Sequence, residues 1–303
     1  MKKLLSISGR VSGTDIVAIR RRYELLPEIA RAAVRNGFDG LMASEHHWQG
    51  DGYPPDALGL VTALGAVSRP SIIGTAIIPI SMWHAETLLE RAGMATALSG
   101  ADVLLGVGAG NHPKEIGDQH VGMTRPAASL DETLAKMVES ANLDGLQHVF
   151  GTPKILVGAM TRAGVRRAGR LGLGWLTDPR ATVEELQKLN DEYVDAGGAG
   201  PVVLMRDVHI GVNDGWLQLA QDDHDNFWQR SWMVGVGGRS QPSEREFVEN
   251  VAITGPVTAV NEKFDELVQR FNPLGVCVRL GFPASPLGFE LEQLESWLEV
   301  RGS

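Results

Sequence analysis

Short runs rich in valine, isoleucine and leucine alternate with longer amphipathic segments along almost the whole chain. Such runs are typical of strands that are covered on both faces of a parallel sheet. The predicted strands are Leu4–Ser8, Leu41–Ala43, Ile72–Ile78, Val103–Val107, Lys154–Val157, a short strand at Trp175, Val202–Ile210 and Val276–Leu280. Because a helical pattern follows each strand, the sequence predicts an α/β fold, a (β/α)8 TIM barrel with insertions, in preference to an open doubly wound sheet.

Capping residues mark the ends of several predicted helices. Asp56 precedes one helix, Gly37 follows the first, and Thr182 opens a capping box with Glu185. The predicted helices span 23–36, 56–67, 84–97, 129–140, 165–171, 182–196, 256–271 and 290–299. Two irregular segments, 111–124 and 213–238, are predicted as insertions that shape a substrate pocket, the second as a helix and loop. We expect a single domain over residues 1–303.

Composition and charge exclude several classes of protein. The chain has 303 residues with a net charge of -9, and its longest basic run, Arg20–Arg22, is predicted as a solvated helix face, so we expect no nucleic-acid partner. No stretch approaches the ~18 apolar residues of a membrane span. The single cysteine, Cys277, and an N-terminal apolar run too short for a signal peptide predict a reducing, cytoplasmic location.

The strand Leu41–Ala43 ends in an abruptly polar segment, Glu45-His46-His47. Barrel enzymes keep their chemistry at the carboxyl ends of the strands, so this segment is a candidate active site. An imidazole there would act as a base or hydrogen-bond donor, because its unperturbed pKa is ~6.5. Glu45 would orient the imidazole or bind a polar ligand edge. The alternative interpretation is a capped strand end with a structural histidine.

A metal site is a second interpretation of the same segment. Adjacent residues on an extended strand point to opposite faces, so His46 and His47 do not readily share one ion. Four further histidines are isolated in the sequence: His84, His112, His120 and His209. Because this spacing gives too few convergent ligands, we predict no metal and keep a metal-dependent hydrolase as an alternative class.

Two glycine-rich segments follow other predicted strands. The run Gly106–Gly110 lets the backbone approach a planar ring or a phosphate closely, although it lacks a complete dinucleotide fingerprint and equally suits a tight turn. The turn Gly158–Gly164 leads into a helix whose free N–H groups, with Thr161 and Arg162, favour a phosphate site over a simple capped joint.

We interpret two arginines on predicted strands and a group of tryptophans as structural residues. Arg206 and Arg279 lie on predicted strands near the barrel mouth, and we predict both to form buried ion pairs. The spacing in the group Trp216, Trp228 and Trp232 is partly helical, which favours packing over a substrate-binding role. Cys277 lies in an apolar strand pattern and is predicted to be an inert core residue.

In combination, these segments resemble the bacterial luciferase-like superfamily. The resemblance covers nearly the whole chain and rests on GFDGLMASEHH, GTAIIP, LSGADVLLGVGAG, ILVGAMTRAGVRRAGRLGLGW and TGPVTAVNEKF. Each motif alone is weak, but together they are specific. The resemblance implies a (β/α)8 barrel that binds FMN or the deazaflavin F420 at its C-terminal mouth, and it implies a homodimer.

The resemblance also assigns roles to individual positions. His46, which follows Glu45, matches the active-site histidine, and Ala76-Ile77 matches a non-prolyl cis-peptide bulge that backs the flavin ring. The loop beside the ring matches Gly108, Ala109, Gly110 and Asn111. The turn that holds the phosphate matches Ala159, Met160, Thr161, Arg162, Ala163 and Gly164.

One departure from the family pattern bears on the cofactor. FMN-dependent luciferases often carry Cys and Arg in the glycine loop, where this chain has Gly108 and Ala109. Small residues there resemble the F420-dependent enzymes, which however often carry an acidic residue at the position of Asn111. We therefore favour F420-dependent hydride transfer involving a small organic substrate. The alternatives are an FMN-dependent monooxygenase supplied by a flavin reductase and a non-catalytic flavin-binding relative.

Overall fold

A computed structural model describes residues 1–110, 126–141, 149–211, 214–230, 247 and 251–299. The strands are β1 (Lys2–Ile7), β2 (Gly40–Ala43), β3 (Ile72–Thr75), β4 (Ile78–Pro79), β5 (Asp102–Gly108), β6 (Lys154–Gly158), β7 (Gly174–Leu176), β8 (Val202–Ile210), β9 (Ile253–Gly255) and β10 (Gly275–Arg279). The α-helices are α1 (Ile16–Arg35), α2 (Ala57–Ser68), α3 (Ala85–Ser99), α4 (Pro126–Ser140), α5 (Arg162–Arg170), α6 (Val183–Asp195), α7 (Asp214–Arg230), α8 (Val257–Phe271) and α9 (Phe289–Glu295). Short 3₁₀ turns cover Ile80–Met82 and Ser296–Glu299.

Eight parallel strands close into a barrel. The order is β10-β1-β2-β3-β5-β6-β7-β8, and β8 pairs with β10 to complete the ring. Alternation along the strands divides the core, as parallel strands covered on both faces require. One set of buried side chains, which includes Leu4, Met42, Leu104 and Cys277, fills the barrel interior. A larger set packs the strands against the helices. The predicted (β/α)8 barrel is therefore confirmed.

The main difference between the predicted and the observed strands concerns the third predicted strand. We expected one strand over Ile72–Ile78, but β3 ends at Thr75 and β4 begins at Ile78, with a cis peptide bond between Ala76 and Ile77. β4 pairs with β5 beyond this bulge, through Ile78 and Val107. The cis bond expected from the family resemblance is thus present.

Other differences arise where contacts distant in sequence decide the structure. The first helix begins at Ile16 rather than Tyr23, because the Asp15 carboxylate caps it at Val17 N (2.9 Å). The triplet Arg20–Arg22 is not wholly solvated, since Arg22 forms a buried bidentate pair with Glu290. The short strand β9 was not predicted and extends the pairing of β8. The closing helix ends at Glu295 and continues as a 3₁₀ turn.

Glycine at position 106 is required by the pairing of β3 with β5. Thr75 Oγ1 donates a hydrogen bond to the Gly106 carbonyl (2.8 Å), and a Cβ at Gly106 would overlap the Thr75 carbonyl oxygen. The Thr75 carbonyl oxygen belongs to the backbone and cannot move away by changing a rotamer. A side chain at position 106 would therefore force the two strands apart.

We expect Gly106→Ala to lower the free energy of unfolding by about 3 kcal/mol or more, because overpacking against backbone has no inexpensive relaxation. Thermal unfolding followed by circular dichroism measures this. Gly172→Ala is the matched control, since φ is +65° there and nothing lies within 4 Å of its added Cβ; it should cost about 1–2 kcal/mol. Equal losses in the two variants would contradict the steric argument.

Candidate active site

The carboxylate of Glu45 lies buried at the end of β2 and is surrounded by donors. Oε1 accepts from Trp83 Nε1 (2.7 Å) and lies 3.1 Å from His47 Nε2. Oε2 accepts from Ala57 N (3.0 Å), the first residue of α2, where the helix dipole favours negative charge. Only 1% of Glu45 is exposed. The carboxylate therefore joins the end of β2, the start of α2 and the 3₁₀ turn before Trp83.

Burial raises the pKa of Glu45 above its usual value, although the hydrogen bonds from Trp83, Ala57 and His47 act in the opposite direction. Desolvation penalises the charged form, and the donors recover only part of that penalty. A carboxyl group with a raised pKa and a histidine partner is typical of a functional site.

The two histidines of the segment have different surroundings. The His47 ring faces Glu45, so the imidazole that the carboxylate contacts is that of His47. The ring of His46 instead lies edge-on to Tyr53, with centroids 4.5 Å apart at 84°. The two neighbouring rings thus have different partners. His46 is half-buried and follows the carboxyl end of β2.

The cis-peptide bulge joins this segment to the glycine-rich strand ends. Glu45 N donates to Ile77 O (3.1 Å), which ties the bulge to the end of β2. The Ile77 side chain lies across the ends of β5 and β6: a Cβ at Gly108 would lie 3.1 Å from Ile77 Cδ1, and one at Gly158 would lie 2.6 Å from Ile77 Cγ2. These glycines thus make room for Ile77, and the predicted residues Ala76, Ile77 and Gly108 come together at one rim.

Small residues continue along this rim. Ala109 and Gly110 are half-buried, Gly110 with φ at +78°, and Ala159 and Met160 follow β6 next to them. Asn111 lies outside the described residues. The backbone here carries little side-chain bulk, which suits a flat ring laid against it.

The turn before α5 has the donors of an anion site. Thr161 caps the helix by accepting from Gly164 N (3.2 Å), as the alternative interpretation of this turn expected. The first-turn N–H groups of Arg162 and Ala163 have no acceptor within a helix and are directed at its N-terminal side. The guanidinium of Arg162 is exposed and paired with Glu192 on α6, so its charge is partly compensated. The fit to an anionic tail therefore rests mainly on Thr161 and the backbone.

The opposite side of the mouth carries a network of charges that the sequence did not predict. Asp223 on α7 lies 2.9 Å from Arg279 NH1, 3.6 Å from Arg10 NH1 and 3.9 Å from an Arg180 nitrogen. Burial alone would raise the pKa of Asp223, but these arginines outweigh it and hold that pKa below its usual value. Asp223 thereby connects α7 to the ends of three barrel strands.

The two strand arginines have different partners. Arg279 forms the predicted ion pair, with Asp207 Oδ1 at 2.6 Å. Among the described residues, no carboxylate forms the ion pair predicted for Arg206, whose NH1 donates to the carbonyl of Ala181 (2.9 Å). Burial lowers the pKa of Arg206 to about 10. Buried Cys277, whose pKa burial raises to about 12, is an unreactive core residue as predicted.

Two aromatic residues beside Glu45 and His46 were not predicted as site residues. Trp83 follows a 3₁₀ turn and donates to Glu45, and Tyr53 lies in the loop before α2 and contacts His46. Neither belongs to a periodic pattern, so only their position close to a polar strand end could have suggested them. Trp216 is buried and packs on Phe282, as expected, whereas Trp232 and the side chain of Trp228 lie outside the described residues.

The described residues also bear on the metal-dependent alternative and on membrane association. In the described part of the chain, no three His, Cys, Asp or Glu side chains are grouped so that they could hold a metal ion. None of the helices there is both long and apolar enough to cross a membrane.

The fold and this rim define the class: a (β/α)8 barrel protein with histidine, glycine and small-residue strand ends gathered at the carboxyl mouth. A sequence profile described as luciferase-like monooxygenase matches residues 1–271. The chain belongs to this family, as its resemblance implied.

Individual relatives include both F420-dependent enzymes and monooxygenases. An F420-dependent glucose-6-phosphate dehydrogenase from Microbacterium testaceum (strain StLB037) is 27% identical over 192 residues, which is 54% of this chain and 56% of that protein. The match thus spans little more than half of the relative. The crystal structure of monooxygenase RslO1 from Streptomyces bottropensis has a TM-score of 0.78 at 19% identity, covering 99% of this chain and 98% of that one. An F420-dependent secondary alcohol dehydrogenase in complex with an F420-acetone adduct has a TM-score of 0.74 at 14% identity, covering 99% of both. The two solved structures show the shared fold.

We expect Glu45→Gln to lower the free energy of unfolding by about 1–3 kcal/mol, because an amide cannot accept from both Trp83 and Ala57 and leaves one buried donor unpaired. Urea unfolding measures this. Glu28→Gln, on an exposed face of α1, is the matched control and should change little. A Glu45→Gln variant as stable as the control would show that the three donors do not depend on the charge.

Proposed function

We propose that this chain is an oxidoreductase that uses a flavin-type cofactor, with F420-dependent hydride transfer to or from a small organic substrate favoured. The observation that carries the proposal is the convergence of Ile77, Gly108 and Gly158 at one rim, on the same end of the barrel as His46. Family membership supports the same conclusion.

The rim residues divide into a ring site and a tail site. The backbone at Ala76, Ile77, Gly108, Ala109 and Gly110 would lie against the flat ring. The turn from Ala159 to Gly164 would hold the phosphate through Thr161 and the first-turn N–H groups of α5. When bound, F420 carries the hydride itself, and the protein supplies orientation and electrostatics.

His46 is the residue to which we assign proton exchange or polarisation of the substrate. Its half-buried ring borders the mouth and is held by Tyr53. Glu45 contacts His47 rather than the mouth, so its assigned part is to fix the strand end from which His46 projects. Glu45 is therefore assigned a supporting role in place of the catalytic role expected from the sequence.

The preference for F420 over FMN rests on the small residues of the glycine loop. Gly108 and Ala109 supply no guanidinium to an FMN phosphate, and an F420-dependent dehydrogenase from Microbacterium testaceum is 27% identical to the chain over 192 residues. The alternative, an FMN-dependent monooxygenase that receives reduced FMN from a flavin reductase, is favoured by the name of the family.

The cofactor is tested by titrating the purified protein with F420 and with FMN and following the fluorescence of each. We expect F420 to bind more tightly. Tight FMN binding without F420 binding would reverse the order, and binding of neither would reject the proposal. Gly108→Val is the informative variant, because its side chain would meet Ile77 and displace the ring-facing surface.

We expect His46→Ala to reduce turnover by about 10²–10⁴-fold while the affinity for the cofactor is kept, which is the range for losing one acid–base group. Glucose 6-phosphate and propan-2-ol are the first probe substrates, with F420 reduction followed by absorbance. His84→Ala is the control, because His84 is exposed and makes no side-chain cap bond. Unchanged turnover in His46→Ala would remove the catalytic assignment.

The remaining expectations concern the assembly and its location. One domain over residues 1–303 that acts in the cytoplasm agrees with the single, buried cysteine. A homodimer is supported by apolar side chains that are 45–55% exposed on the neighbouring helices α2 and α3: Val67, Met94 and Leu98.

We expect the double variant Met94→Glu and Leu98→Glu to convert a dimer into a monomer, because two charges would be buried in the shared apolar face. Sedimentation velocity measures the mass. Leu287→Glu is the matched control, since Leu287 is equally exposed but lies outside these helices. A monomeric wild-type protein, or a double variant that stays dimeric, would refute this interface.

A further inference from the structure

The loop between β2 and α2 is fixed against the rest of the barrel mouth. Val11 N donates to the Asp51 carbonyl (2.9 Å), and Tyr23 OH donates to the Gly52 carbonyl (3.0 Å). Gly52 has φ at +83°, and a Cβ there would lie 2.7 Å from the carbonyl oxygen of Gly9. The loop thus lies close against the segment that follows β1, and residue 53 is presented from a fixed backbone.

Tyr53 is the residue that this loop presents to His46. Their ring centroids are 4.5 Å apart and their planes are nearly perpendicular, at 84°. This edge-on arrangement is the preferred one for aromatic pairs. The His46 backbone is held as well, since its N–H donates to the Pro54 carbonyl (3.2 Å). With the backbone fixed, the ring of Tyr53 contributes to the orientation of the His46 imidazole.

Arg10 braces the ring of Tyr53. Its guanidinium carbon lies 4.9 Å from the ring centroid, within the distance of a cation–π contact. Arg10 Nε is bound to Asp51 Oδ2 (2.8 Å), and Asp51 Oδ1 accepts from Tyr53 N (3.2 Å). One carboxylate therefore holds both the cation and the backbone of the tyrosine. Asp223 on α7 adds a second carboxylate, 3.6 Å from Arg10 NH1.

The phenol of Tyr53 stays protonated. Burial raises the pKa of Tyr53, although Arg10 and Ser44 favour the phenolate. Ser44, which follows β2, donates to the carbonyl of Ala76 (2.6 Å). This bond ties the residue before Glu45 to the peptide beside Ile77.

We propose that Tyr53 is a positioning residue for His46, held by Arg10 on its ring and by Asp51 at its backbone. The ring contact sets the orientation of the imidazole. The inference deepens the proposed function and rests on it for the catalytic part of its meaning. The contact between Tyr53 and His46 can be tested without any cofactor.

The first test observes the His46 ring by NMR in the full-length protein with isotopically labelled histidine. The His46 signals are identified by their loss in His46→Gln. We expect Tyr53→Leu to move these signals and leave the ring averaged between orientations, whereas Tyr53→Phe, which keeps the ring, should stay close to wild type. Tyr193→Phe is the matched control, because the Tyr193 hydroxyl bonds Leu173 far from the mouth.

His46 signals in Tyr53→Leu that coincide with those of wild type would overturn the proposal. If Tyr53→Leu does not fold, Arg10→Gln replaces it, since loss of the cation from the ring should also move the His46 signals. If the His46 signals of a folded Arg10→Gln variant do not move, the proposed role of Arg10 in holding the Tyr53 ring is contradicted.

The second test separates positioning from substrate binding, with whichever probe substrate the wild type converts. We expect Tyr53→Leu to lower kcat by about tenfold or more with KM unchanged, because a misplaced catalytic group slows chemistry without weakening binding. Tyr53→Phe should restore most of kcat. A raised KM with an unchanged kcat would contradict positioning. If the wild type binds neither F420 nor FMN, the proposed function fails, and the NMR result alone decides the inference about Tyr53.

Discussion

A buried negative charge at the end of β2 is the constraint on which the site depends. Removing a carboxylate from water is costly unless donors replace the lost hydration, and Glu45 obtains these donors from three separate elements. Trp83, Ala57 and His47 must therefore stay where they are for the charge to be tolerated. The penalty for moving any of them makes this corner of the barrel rigid, and rigidity is what the catalytic role proposed for His46 requires.

The parts of the structure that could be predicted from the sequence are those fixed by local pattern. Apolar runs identified every strand of the closed ring, and Thr182 with Glu185 formed the capping box that their spacing indicates. The polar segment after β2 and the glycines after β5 were placed at one rim, because parallel strands bring their carboxyl ends to the same side. The break at Ala76-Ile77 could not be read from its apolar pattern, and only the resemblance to a family supplied it.

Contacts between distant parts of the chain could not be predicted. Arg10, Asp51 and Asp223 come from the segment after β1, the loop after β2 and α7, and no spacing in the sequence relates them. Arg206 is a second example of a partner that the sequence does not predict. An arginine on a strand suggests a carboxylate partner, yet the NH1 group of Arg206 donates to a carbonyl in the turn before α6. Which polar group meets which is decided by loop paths, and those follow from packing rather than from periodicity.

The two sides of the barrel mouth consequently differ in the kind of residue that lines them. On the side of β3, β5 and β6, small residues and glycines remove side chains so that backbone can approach a flat surface. On the side of β1, β8 and β10, the arginines Arg10 and Arg279 face the carboxylates Asp51, Asp207 and Asp223, so their charges largely cancel. Buried ion pairs of this kind add little net stability, but they penalise every arrangement in which one partner is left alone. They therefore fix the position of α7 on the barrel, and through Arg10 that fixed position extends to Tyr53 and to the imidazole of His46.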